Sequence, residues 1–395
     1  MVHPSVLAAA LRTAGARAWL VHDFRGSNPV FAQLLGTRLF LTRRAFLLLC
    51  DGEAPRLLLS GVDATPEVAD RLPGVVVERY TRWTEIEAWL RERVAPFGAA
   101  AMEYSPGGAL PAASWVDGGT LDLVRAAGIE VTPSADLVQL AVATWGDAGL
   151  ASHRAAMAHA VATKDLAFEH VRARVAAGER CTEREVQALI LEQFERRGVV
   201  TADPPVVAVN AHSGDPHYVP SDGSSAEIGA GDWLLVDLWC REPHDAAVYA
   251  DITWVAQVGG ELPDARRAVF DVVARARDAV VADVRERASA GATVLGFELD
   301  RIARGVVEDA GHGAAFVHRT GHSLSPGDAV HGLGANLDDL ETHDTRPLRP
   351  GLGFTVEPGV YLPEFGVRLE IDVYLGPNGP MVTSPVQTAP VLLHA

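Results

Sequence analysis

Over roughly residues 1–148 the chain alternates short apolar runs with helix-like stretches. "HPSVLAAALRTAG" has the composition of a helix stopped by Gly15, and "AWLVH", "RLLLSG" and "GVVVERY" read as strands separated by turn residues. "GTLDLVRAAGIEVTPS" reads as a helix, a glycine stop and one more strand. Together these predict a modest α/β domain. After "ATWGDAG" the pattern changes to long helices: "LASHRAAMAHAVATKDLAFEHVRARVAAG" runs to Gly178, and Thr182 with Glu185 forms a capping box for "EREVQALILEQFERRG". Short strands follow ("PPVVAVN", "DWLLVDLW", "VYADITWVAQVG"), then a further long helix, "LPDARRAVFDVVARARDAVVADVRERASAG". A domain boundary near 149 is expected, giving domains 1–148 and 149–395.

The apolar strands of the second part are interrupted by acids. In "GDWLLVDLWC", Asp237 sits between Val236 and Leu238, and Asp251 repeats the anomaly in "VYADITWVAQV". A buried carboxylate must be paired, hydrogen-bonded or bound to a metal. If the polar link "REPHDAA" makes these strands hairpin partners, both aspartates reach one site; singly, each is more often a turn or edge residue. Strand period two puts Asp251 and Thr253 on one face and Ile252 and Trp254 on the other. Further on, "VEPGVYLPEFGVRLEIDV" holds Glu357 and Glu370. Its alternation places Arg368, Glu370 and Asp372 opposite Val367, Leu369, Ile371 and Val373. The bland alternative is a polar outer face on which Arg368 neutralises Glu370, and it leaves Glu357 unexplained.

Histidines add to the set. His318 and His322 stand four apart in "HRTGHS", on one face if helical, although Gly321 makes a loop or strand an equal alternative. His331 follows downstream, and the glycine- and proline-punctuated loop "VNAHSGDPHYVPSDGSS" offers His212 or His217. Four carboxylates and a histidine make an oxygen-rich set suited to manganese, cobalt or zinc, and too charged for one structural zinc. Two ions sharing carboxylates would account for so much negative charge in one place, and the reaction class they suggest is metal-assisted hydrolysis.

Composition narrows the field further. The 395 residues are 48% apolar and 22% charged, an ordinary globular balance. A net charge of −17 repels a nucleic-acid backbone, so no nucleic-acid partner is expected. Cys50, Cys181 and Cys240 have no short pair spacing, which suits a reducing cytoplasm. The amino-terminal stretch lacks an export pattern, and "LFLTRRAFLLLC" is too short and too basic to span a bilayer, so no membrane partner is expected. Neither GxGxxG nor a Walker A sequence occurs.

These residues, in this order and context, resemble the metallopeptidases of the methionine aminopeptidase, proline aminopeptidase and prolidase superfamily (family M24). The likeness covers about 150–390, and residues 1–148 look like the smaller amino-terminal domain of the creatinase and prolidase branch. The implied fold is α/β: a creatinase-type amino-terminal domain, then a pita-bread catalytic domain. The resemblance implies metal ligation by Asp237, Asp251, His322, Glu357 and Glu370, with Asp251 and Glu370 bridging two divalent ions, manganese first and cobalt or zinc as alternatives. It implies active-site roles for His217, His318 and His331, proton transfer by Glu357, and Arg368 as an orienting arginine.

The implied activity is hydrolysis of the bond before proline, as an Xaa-Pro aminopeptidase or alternatively an Xaa-Pro dipeptidase acting on proline-containing peptides or dipeptides. A non-proline hydrolase or a binding module on the same scaffold are lesser alternatives. All five ligand positions are filled, which points away from creatine hydrolysis. The branch implies a homodimer. Three departures stand out: Trp254 replaces a usual arginine, and segments 238–250 and 323–330 are longer than usual. All three are expected near the substrate cleft.

Overall fold

The structure, a computed structural model, describes residues 2–394. It divides into two compact units, Met1–Thr144 and Trp145–Ala395. In the first, a mixed six-stranded sheet has the order β4-β3-β2-β1-β5-β6. Its strands are β1 (Ala18–Phe24), β2 (Arg44–Cys50), β3 (Arg56–Ser60), β4 (Val76–Tyr80), β5 (Ala99–Met102) and β6 (Glu130–Pro133). The pairs β1–β2 and β2–β3 are antiparallel, whereas β3–β4, β1–β5 and β5–β6 are parallel. The opening helix spans Pro4–Ala14 and ends at Gly15, whose φ of 66° is the left-handed cap that glycine adopts without strain. The segment weighed above only as a membrane span holds β2, buried from Ala45 to Cys50. No helix among the described residues is long and apolar enough to cross a membrane.

The second unit contains β7 (Cys181–Thr182), β8 (Val206–Val209), β9 (Glu227–Ile228), β10 (Trp233–Cys240), β11 (Ala250–Val258), β12 (Ser323–Leu324), β13 (Gly353–Val356), β14 (Gly359–Tyr361), β15 (Gly366–Arg368), β16 (Ile371–Gly376), β17 (Gly379–Val382) and β18 (Val391–Leu393). Two four-stranded sheets, β18-β11-β10-β8 and β12-β13-β16-β17, are joined by the small pairs β14-β15 and β7-β9. The long helices Asp147–Ala176, Glu183–Arg197 and Asp264–Ser289 are present, and the capping box closes with Thr182 N–H donating to Glu185 at 2.6 Å.

The predicted hairpin is also present. β10 pairs antiparallel with β11, with Asp237 opposite Thr253 and Trp239 opposite Asp251. Directly opposed residues share a face, so both aspartates emerge on the same side. The other side carries Leu234, Val236, Leu238, Cys240, Ile252, Ala256 and Val258, which pack in one core with Ala156, Ala160, Phe168, Ile190 and Phe194 of the helices. At roughly 25 cal/mol per Å² of apolar area, that face is what anchors the strands.

Residues 366–376 differ from the expected single strand. β15 stops at Arg368, β16 starts at Ile371, and the two belong to different sheets. Every residue from Gly366 to Val373 is buried, so the polar outer face does not exist. The alternation was real, but both of its sides face protein.

Just beyond β5, the wholly buried Glu103 accepts hydrogen bonds from Trp19 Nε1 (2.6 Å), Asn28 Nδ2 (3.0 Å) and Ser134 Oγ (2.9 Å). Burial pushes its carboxyl from 4.5 up to about 7 against the pull of those donors. The folded state then keeps a proton that the unfolded chain releases, so stability present below pH 4.5 is lost as pH rises through about 7. The loss amounts to roughly 3 kcal/mol. Thermal unfolding of the full chain should show the wild type falling relative to Glu103→Gln between pH 5 and pH 8. A gap independent of pH would contradict this.

Candidate metal centre

The hairpin delivers Asp237 and Asp251, and three other pieces of backbone bring the rest. Gly321 bridges to Leu337 in extended conformation, so the helical option for "HRTGHS" does not hold. A Cβ on Gly321 would lie 2.1 Å from the Thr355 carbonyl oxygen, and only glycine permits that approach. His322 is clasped to Thr355 from both sides: its N–H donates to Thr355 Oγ1 (3.0 Å), and its carbonyl accepts from Thr355 N–H (2.9 Å). Glu357 follows β13, its N–H donating to the Thr320 carbonyl at 2.8 Å. Glu370 lies in the break between β15 and β16. Its N–H reaches the Thr253 carbonyl (3.3 Å) and its Oε2 accepts from Thr253 Oγ1 (2.8 Å).

Ligand atoms of Asp251, His322 and Glu370 all lie within 4.8 Å of one another. His322 Nε2 is 3.5 Å from Asp251 Oδ2 and 3.6 Å from Glu357 Oε1. Its Nδ1–H donates to the Ser323 carbonyl (3.1 Å), which leaves the Nε2 lone pair aimed at the carboxylates. Burial holds the imidazole neutral, well below its usual range. Burial, reinforced by neighbouring carboxylates, raises Asp251 and Glu370 well above theirs, and burial takes Glu357 up to about 7 against the pull of Arg368.

Asp237 stands outside the tight triad, bound through Oδ2 to Arg368 at 2.5 Å. Its Oδ1 and that of Asp251 are buried with no partner among the described residues. Orphaned carboxylate oxygens beside a deprotonated imidazole nitrogen fit divalent cations.

The remaining predicted residues separate into two groups. Half-buried His318 and buried Arg368 belong to one relay. Arg368 donates to Asp237, to Thr253 Oγ1 (3.2 Å) and to Tyr361 Oη (2.7 Å). Tyr361 in turn donates to His318 Nε2 (2.6 Å), and His318 Nδ1–H donates to the Arg319 carbonyl (2.6 Å). Burial and the neighbouring Arg368 bring His318 down to about 3, the neutral tautomer this chain requires. His331 stands nearer the ligands, with its ring 4.2 Å from that of His322 and its Nδ1 accepting from Arg319 at 3.3 Å. His217 is exposed on its loop and acts electrostatically on His331. His212, the competing candidate, bonds Glu183 at 2.9 Å and stacks on Tyr218.

Sequence reading missed Tyr361, Arg319 and the supporting part played by Asp372. Asp372 Oδ2 accepts the Asp251 N–H at 2.9 Å and so fixes that aspartate's backbone. Period two had placed Asp372 beside Glu370, but the strand break separates their tasks.

The three departures are also located. Trp254 faces away from the acids, as period two requires, and lies against the helix-side core with Lys164 Nζ 3.8 Å from its ring centroid. It therefore stands on the sheet face opposite the ligand acids. Segments 238–250 and 323–330 are fastened to each other. Arg241 pairs with Asp328 (2.7 Å), Tyr249 Oη donates to the Asp328 carbonyl (3.0 Å), and Gly327 N–H donates to the Ala247 carbonyl (3.3 Å).

Comparison with known proteins follows the same lines. The sequence profile of "Metallopeptidase family M24" matches residues 154–377, more than half of the chain. The Xaa-Pro dipeptidase of Pyrococcus furiosus is 31% identical over 202 residues, covering 50% of this chain and 52% of its own. That of Pyrococcus horikoshii is 32% identical over 199 residues, covering 50% and 51%. The chain thus spans about half the length of the curated relatives it matches. Two solved structures match nearly end to end. The dipeptidase PepE of Mycobacterium ulcerans has a TM-score of 0.72 at 24% identity, covering 99% of this chain and 97% of that one. The X-Pro aminopeptidase of Thermotoga maritima has 0.68 at 20%, covering 99% and 100%. The fold is therefore the two-domain α/β architecture with a carboxy-terminal pita-bread domain.

Gly321→Ala tests the clasp around His322. The added methyl must push the Thr355 carbonyl away, and manganese titration by calorimetry should show affinity weakened by about tenfold or more, with the far-ultraviolet dichroism unchanged. Wild-type affinity would show that the close approach does not position the ligand.

Proposed function

The chain belongs to metallopeptidase family M24, and on that premise we propose that it hydrolyses the peptide bond preceding proline. In this reading two divalent ions, manganese first and cobalt or zinc as alternatives, are held by Asp237, Asp251, His322, Glu357 and Glu370. The observation that carries it is the buried group of acids at the hairpin and around His322 Nε2, two of whose oxygens, Asp237 Oδ1 and Asp251 Oδ1, have no partner among the described residues. When bound, the ions supply Lewis-acid polarisation of the scissile carbonyl and make the attacking water more acidic.

Glu357 stands beside His322 with its carboxylate bonded on one side to Thr355 Oγ1 (3.2 Å). It takes the water proton and returns it to the leaving imino nitrogen. His331, with Nδ1 engaged by Arg319, presents Nε2 for the oxyanion or the substrate, and His217 contacts the substrate from its loop. His318 acts at one remove, holding Tyr361 against Arg368 and Arg368 against Asp237. Proline calls for such a site because its amide lacks the N–H that other peptidases grip. The three free, buried cysteines support a cytoplasmic location. A homodimer completes the proposal, by analogy with the branch.

An aminopeptidase and a dipeptidase share this centre, and one observation favours the second. The Arg319 guanidinium, with 18% side-chain exposure, lies beside His331 and acts electrostatically on His318, His322 and Glu357. A cation there suits the free carboxylate of an Xaa-Pro dipeptide, although Glu341 at 3.4 Å competes for it.

The test uses manganese-reconstituted protein with Ala-Pro, Ala-Pro-Ala and Ala-Ala. Cleavage before proline should exceed that of Ala-Ala; equal turnover would end the proline assignment. Arg319→Ala should raise KM for Ala-Pro by about tenfold and leave Ala-Pro-Ala less affected. A wild-type preference for the tripeptide returns the aminopeptidase.

A further inference from the structure

A cavity of about 640 Å³ lies within the first unit. Strand register builds its floor: Phe24 of β1 stands opposite Arg44 of β2 and His22 opposite Phe46, so these side chains share one face of the sheet. Trp115 and the start of helix Gly118–Ala126, capped by Asp117, supply the wall. Phe24 and Trp115, large apolar side chains, are 43% and 38% exposed at the opening.

The polar groups of the cavity are arranged for something that is not protein. His22 is 4% exposed, yet its Nε2 is buried without a partner among the described residues. A buried donor or acceptor left unmet is costly, so its persistence calls for an explanation. Arg44 carries no ion pair among the described residues, although it is half-buried in the cavity lining. Asp117 accepts from Thr120 N–H (2.9 Å) and Oγ1 (2.6 Å) and keeps its negative charge. Burial brings the His22 ring down to about 4 and keeps it neutral, against the pull of Asp117 and of Asp23, with Arg44 pushing the same way as burial.

A simple anion would suit Arg44 but be repelled by Asp117; a simple cation meets the reverse. A ligand bearing both charges on an apolar body suits all of them. We propose that this cavity binds a free α-amino acid with an apolar side chain, its carboxylate on Arg44, its ammonium on Asp117 and its side chain against Phe24 and Trp115. His22 then gains the partner it lacks. A cavity of this size falls within the range of small-molecule sites, and Arg supplies the planar fork that carboxylates take up in pairs of hydrogen bonds.

Calorimetric titration of the full chain, freed of metal with a chelator, with L-phenylalanine tests the proposal. Saturable binding is expected. Phenylpropionate, lacking the amine, and phenylalaninamide, lacking the carboxylate, should each bind about tenfold more weakly or worse. Arg44→Leu should weaken L-phenylalanine by about the same factor, and Asp117→Asn, which retains the cap, should do so without loss of fold. Hydrogen exchange should place the protection in β1 and helix Gly118–Ala126. Absence of binding at millimolar concentration, equal affinity for the two analogues and the amino acid, or protection confined to Trp145–Ala395 would each overturn it.

Discussion

Repulsion among carboxylates that share one buried patch is the constraint on which the second unit depends. An isolated charge moved from water into protein costs several kcal/mol even after relaxation, and each further like charge adds to the cost. The surrounding structure answers this one contact at a time. Arg368 takes one oxygen of Asp237, Thr253 takes one of Glu370, and Asp372 holds the Asp251 backbone from behind. Asp237 Oδ1 and Asp251 Oδ1 are left buried without a partner among the described residues. The strands endure this because their other face is a continuous apolar core against two helices.

Much of that was legible in the chain. A carboxylate between apolar residues violates the two-residue period, and Asp237 and Asp251 announced themselves for that reason. The hairpin followed from the short polar link, and register then placed both acids together. Helix ends were readable from glycine and from the Thr182 box.

What was not legible required knowledge of three-dimensional neighbours. The break at Leu369–Glu370 is invisible because each half keeps the same alternation, and only tertiary pairing with β13 and β14 shows that two sheets divide the segment. Tyr361 passed as one more aromatic core residue, since nothing local distinguishes a hydroxyl that bridges Arg368 and His318 from one that reaches solvent. His212 and His217 were inseparable by spacing. Their difference lies in Glu183, 29 residues upstream of His212 and wholly buried. Trp254 was legible: period two puts it opposite the acids, and it packs on the helix side.

The fastening of segment 238–250 to 323–330 bears on how such a chain changes over time. Arg241 is 9% exposed and Asp328 is the carboxylate it meets, so trimming 323–330 alone would strand a buried guanidinium, and trimming 238–250 alone would take that cation away from Asp328. The two segments therefore form one unit of exchange: a chimera with a relative that differs in them keeps this pairing only when both are carried over together.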